Sequence, residues 1–98
     1  MAEYRITSWR EIPSMVSARG DAGEIVKVPL PDRFQEAIDE LAMRTGAAGS
    51  DDYLAGWEQG DWAERGGGPG EVAALVAGEL DEQWTAERLA ALVAGAGS

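Results

Sequence analysis

The sequence predicts an α+β fold, a small three-stranded antiparallel sheet covered by helices, with a helical C-terminal half. Three observations predict it. Residues 4–28 mix β-branched and aromatic residues with period-two alternation, residues 34–42 carry apolar side chains at helical spacing, and that spacing returns after residue 71. With 98 residues, 45% hydrophobic and 27% charged, the chain suits one domain built on one modest core. The expected organisation is a single domain over 1–98, comprising an α+β core at 3–60, a glycine-rich connector at 60–70 and a helical hairpin at 71–95.

The first strand is Tyr4-Arg5-Ile6-Thr7-Ser8-Trp9, with Tyr4 and Ile6 on one face and Arg5, Thr7 and Trp9 on the other. Pro13 breaks the run, Ser14 to Arg19 offers a second strand, and Arg19-Gly20-Asp21-Ala22-Gly23 is turn chemistry leading to a third, Glu24 to Val28. Pro29 and Pro31 end that strand, and Pro31 fits the first turn of a helix over 31–45. Phe34, Ala37, Ile38, Leu41 and Ala42 form its apolar stripe, which covers the sheet, and Gly46 stops it. Ser50 is the expected N-cap of a short helix over 51–59, with Asp51 and Asp52 in its first turn and Tyr53, Leu54 and Trp57 along one edge. Beyond the Gly66-Gly67-Gly68-Pro69-Gly70 run, Val72, Leu75, Val76 and Leu80 stripe a helix over 71–83. Thr85 caps a last helix, with Trp84 and Leu89 at the two positions of a hydrophobic staple.

Charge narrows the possible partners. Residues 1–48 hold 6 Lys+Arg against 8 Asp+Glu and residues 49–98 hold 2 against 10, so the halves carry −2 and −8. Such a field repels phosphate backbones and anionic lipid, and no Lys/Arg stripe offsets it, so neither nucleic acid nor membrane is an expected partner. No stretch approaches the roughly 20 apolar residues of a membrane span. Residues 1–5 lack a basic segment leading into an apolar one, which makes the expected location cytoplasmic.

The sequence contains no histidine and no cysteine. Acid–base work near neutral pH usually falls to histidine, and metal sites without His or Cys are restricted to carboxylate clusters. Asp51, Asp52, Glu58 and Asp61 lack the spacing of a calcium loop, and the first two already suit a helix N-terminus. The glycine run has Glu71 where a dinucleotide fingerprint needs its third glycine, and Ser8, Ser14 and Ser17 have no imidazole to activate them. Arg19-Gly20-Asp21 is most simply a turn. No metal and no cofactor is expected.

What remains is the cluster Trp9, Arg10 and Met15, residue types favoured at interfaces. Trp9 suits a core position beneath a second layer as well as an interface, and the core reading is preferred. Arg10 pairs with Glu11 or Asp32, or else holds a partner's carboxylate bidentately.

Residues 4–16 (YRITSWREIPSMV) and 27–39 (KVPLPDRFQEAID), followed by Ala42-Met43-Arg44, Gly-Ser-Asp-Asp-Tyr-Leu at 49–54 and Trp57, resemble a small bacterial "virulence factor" domain family. The resemblance spans about residues 3–60. A domain of this kind also occurs in a larger multi-domain conserved virulence factor, beside a scaffold-type N-terminal domain and helical repeats. The resemblance implies no catalytic residues, and it implies that stand-alone members accompany one-carbon, folate-linked enzymes. Carried over, it marks Trp9, Arg10, Pro13, Met15, Arg33, Phe34 and Asp39, with Phe34 serving the core. The expected function is therefore a non-catalytic interaction module, an accessory subunit docking on a partner enzyme or assembly. The alternative is a ligand-binding or catalytic component using Arg, Asp or Glu in a site shared with a partner, with Arg10 or Arg33 beside a carboxylate such as Asp39 or Asp52.

Overall fold

The computed structural model describes residues 1–49 and 51–96. The expected N-cap at Ser50 lies outside them. Element order is β1 (Ala2–Trp9), β2 (Ile12–Arg19), β3 (Ile25–Pro29), α1 (Asp32–Arg44), α2 (Asp51–Ala55), β4 (Trp57–Gln59), β5 (Ala63–Arg65), α3 (Pro69–Gln83) and α4 (Ala86–Ala96). The fold is α+β with a helical C-terminal half, as the sequence predicts, but the antiparallel sheet has five strands rather than three.

β1 is the central strand. One edge pairs with β2, which pairs with β3; the other receives β4 near Trp9 and β5 near Ala2. The stretch 57–65 is thus an edge strand interrupted at 60–62, and it enters both the expected helix 51–59 and the expected connector. Three-residue strands flanked by glycine and aspartate carry no readable period, which is why sequence reasoning passed over them. Pro13 lies inside β2 instead of breaking it. The register slips between Thr7 and Ser8, so that Thr7 faces Met15 and Ser8 faces Pro13, leaving Ser14 extra on β2. A bulge is the place in an inner strand where a residue without an N–H is tolerated.

Alternation assigns the two faces. Tyr4 stands opposite Ala18 and Ile6 opposite Val16, and β3 extends that face with Val26 and Val28. α3 covers it with Val72, Ala73, Val76 and Ala77. The Arg65 guanidinium fixes α3 to β5 through two bonds to the Glu79 carboxylate, at 2.8 and 2.9 Å. That contact raises the Arg65 pKa and holds the Glu79 carboxyl below its ordinary range, the hydrogen bond being the larger cause for both.

α1 buries the predicted stripe of Phe34, Ala37, Ile38, Leu41 and Ala42. Full burial of Phe34 and of Ile38 is worth about 1.5–3 kcal/mol each. Its C-terminus closes as a Schellman motif: Gly46 has φ +76°, its N–H reaches Met43 O and the Ala47 N–H reaches Ala42 O at 2.8 Å. α1 packs on β2 and on α4 rather than covering the sheet alone. α3 begins at Pro69, the first-turn position that proline favours, so the glycine run ends two residues earlier than expected. At α4 the Arg88 N–H reaches Thr85 Oγ1 at 3.1 Å, the predicted cap, and Leu89 of the predicted staple is buried.

Candidate functional site

The β1–β2 connection is a two-residue turn, Arg10-Glu11, between the paired residues Trp9 and Ile12. Arg10 has φ 52° and is the only non-glycine with positive φ among the described residues. A side-chain-bearing residue there costs about 1–2 kcal/mol. The turn is held by its surroundings, because the Arg10 N–H donates to Gly56 O at 2.8 Å. Beneath it Trp9 is fully buried, and its indole N–H donates to Tyr53 O at 2.7 Å. Tyr53 leans on Trp9 with ring centroids 5.7 Å apart and meets Trp57 edge-on at 6.1 Å. α2 therefore supplies the second layer beneath which Trp9 was expected to lie.

Beside this turn lies an open groove of about 310 Å³, lined by Ile6, Pro13, Leu80 and Trp84 together with Ser8, Gln59, Gly60 and the charged Arg10, Glu11 and Glu58. Its four apolar side chains thus share the groove with one guanidinium and two carboxylates. The Arg10 guanidinium stacks on the Trp9 ring at 4.7 Å and makes no ion pair among the described residues, so the expected pairing with Glu11 or Asp32 does not occur.

The residues singled out in the sequence do not converge on one place. Arg10 and Pro13 share the groove, although Pro13, like Trp9, is buried and offers little to a partner. Met15 is half-buried on the sheet face opposite α3. Arg33 is engaged internally: it donates to Asp81 O at 2.9 Å, to Trp84 O at 3.1 Å and to the Asp81 carboxylate, fastening α1 to the end of α3. Asp39 is exposed on α1 and accepts from Gln35 at 2.9 Å. Among the described residues, no three carboxylates gather in an arrangement able to hold a metal ion, and no helix is long and apolar enough to cross a membrane.

Two residues escaped sequence reasoning. The sequence pattern places Trp84 in a staple and Trp62 in the connector, and neither position points to a site. A tryptophan in a glycine-rich segment was the available signal, since a mobile linker has little use for a large apolar ring.

Fold and groove together define an α+β protein whose sheet carries α3 on one face and whose central hairpin turn presents an arginine beside a groove of mixed apolar and charged lining. The chain belongs to the virulence factor family, whose model matches residues 7–93. The match runs through α3 and most of α4, further than the 3–60 span of the resemblance seen in the sequence. No curated protein and no solved structure matches the chain.

Proposed function

We propose that this domain is a non-catalytic interaction module, an accessory subunit that docks on a partner enzyme or assembly through the groove beside Arg10. The observation that carries the reading is the strained turn. Arginine is a poor choice for positive φ, and glycine would relieve the backbone cost. The residue instead presents an ion-unpaired guanidinium beside Leu80 and Trp84. Apolar anchors beside an arginine are the composition of an interface centre. The occupant that fits is a polypeptide segment whose apolar side chain sits over Leu80 and Trp84 and whose carboxylate meets Arg10. A link to one-carbon, folate-dependent enzymes rests on the family resemblance alone.

A second reading, a small-ligand site completed by the partner, is favoured by one feature: Arg10 shares the groove with Glu11 and Glu58. The volume lies at the lower end of ligand sites, roughly 300–1,000 Å³, and the groove is open, so docking remains the preferred use. Mild affinity purification of the tagged protein from its native cell, in parallel with Arg10→Ala and Met15→Ala, tests the proposal. A stoichiometric partner lost with Arg10→Ala supports docking at the groove. Turnover, or a tightly held metabolite in the isolated chain, overturns it.

A further inference from the structure

The sheet face opposite α3 has a composition unlike that of the molecule as a whole. Register places its residues in cross-strand rows. Arg5, Ser17 and Lys27 form one row, with Glu3, Arg19 and Ile25 on one side of it and Thr7, Met15 and Pro29 on the other. β5 adds Glu64 beside Glu3, and β4 adds Gln59 beside Thr7. α2 and Tyr53 cover the Trp9 end, α1 packs on β2, and α3 lies on the other face; Ser17 is buried between the rows, while Ile25 and Lys27 on β3 are exposed. Three of the eight Lys+Arg of a chain with net charge −10 thus share one sheet face with two carboxylates.

Trp62 organises these cations. It projects from the interruption between β4 and β5, and two guanidiniums lie over its ring, Arg5 at 4.5 Å from the centroid and Arg19 at 4.1 Å. Arg19 also bonds the Glu3 carboxylate at 3.2 Å. Arg5 and Lys27 have no ion-pair partner among the described residues. The Arg5 Nε and the Thr7 Oγ1, next to each other on this face, are buried without a hydrogen-bond partner. Two like charges on one indole, with one carboxylate engaged between them, leave positive charge and polar capacity unsatisfied. Stacking meanwhile fixes the guanidiniums and lowers the entropy lost when they bind.

We infer that this face, centred on Arg5, Arg19, Lys27 and Trp62, binds a carboxylate-bearing segment of a partner polypeptide. Charge complementarity selects the occupant. The mixed surroundings, with Glu3 and Glu64 among the cations and Met15 and Ile25 alongside, suit spaced carboxylates interleaved with apolar side chains. A continuous polyanion such as a nucleic acid would meet those carboxylates and the field of the whole chain. The surface is distinct from the groove beside Arg10, so each stands or falls separately.

The test is selection of random twelve-residue peptides displayed on phage against the intact, immobilised protein. The inference expects selected peptides several-fold richer in Asp and Glu than the starting library, with binding weakened at least tenfold by Arg5→Gln and by Lys27→Gln. It also expects amide shifts in NMR spectra at residues 5, 7, 17, 19 and 27. Lys27 is exposed, so its variant keeps the fold even where Arg5→Gln perturbs it. The bare net charge of the chain predicts the opposite, enrichment of Lys and Arg with shifts on the acidic helices. That outcome overturns the inference, as does an absence of binders, equal binding by both variants, or tighter binding of a single-stranded oligonucleotide at the same face.

Discussion

Replacing Gly56 by alanine is the sharpest probe of the packing that holds the Arg10 turn. A Cβ built on Gly56 meets Trp9 Nε1 at 2.5 Å and Cε2 at 2.6 Å, distances real Cβ atoms essentially never show. The indole cannot yield cheaply, because Trp9 is fully buried and its N–H is committed to Tyr53 O. Overpacking of this kind costs about 1–3 kcal/mol, and loss of the indole hydrogen bond adds about 1 kcal/mol. The sum, about 2–4 kcal/mol, corresponds to a Tm lower by at least about 8 °C in a domain of this size. The control is Gly78→Ala in the middle of α3, where an added Cβ meets nothing within 4 Å. Helix propensity alone makes that variant more stable, by about 0.5–1 kcal/mol. Urea unfolding followed by circular dichroism measures both. Two changes of the same chemistry should move stability in opposite directions. A Gly56→Ala variant within about 0.5 kcal/mol of the parent, the usual range for a neutral surface change, would refute the reasoning about Trp9.

Arg10→Gly should raise stability by about 1 kcal/mol, by relieving the positive φ, while weakening partner binding; a thermal melt showing no gain would mean the turn is not strained. Arg33→Ala removes bonds to two carbonyls and the Asp81 carboxylate, all made by the one nitrogen Nη2, and should cost about 2 kcal/mol in urea unfolding, with Arg33→Lys recovering less than half because the shorter side chain holds its ammonium short of that position. The Glu79 carboxyl titrates below its ordinary value near 4.5 when folded, so its contribution is present at neutral pH and is lost as pH falls through that depressed value. Glu79→Gln should therefore flatten the acid limb of the stability–pH curve and leave its neutral limb unchanged in shape, as read by thermal melts from pH 7 to pH 3.

The sequence made α1 readable because two punctuation marks and one period agree there: Pro31 at the start, Gly46 at the end, and five apolar residues on one stripe. The period also found α3, although the stripe it buries is Val72, Ala73, Val76 and Ala77 and the expected Leu75 is exposed, and Thr85 marked the cap of α4. β4 and β5 had no such support, since their pairing is decided by the exposed edge of β1 and not by any preference of their own residues. Pro13 misled because its role depends on a bulge, and a bulge is a property of two strands together. For the site, residue type was enough to pick out Arg10, but not its conformation. Nothing in the letters Trp-Arg-Glu-Ile says that an arginine will take a left-handed backbone; the bond from Arg10 N–H to Gly56 O comes from 46 residues away. The same non-locality hid Trp62, which becomes an organising residue only when β5 lays it across Arg5 and Arg19.

The central claim is that the groove beside Arg10 meets a partner protein, and site-specific photocrosslinking in the native cell tests it most directly. A benzophenone amino acid at Glu58, exposed on the groove wall, should yield one dominant adduct with a single protein, and the same probe at Ala74, exposed on α3 away from the groove, should yield none. Equal adducts from both positions, or an adduct from Ala74 alone, would contradict the account.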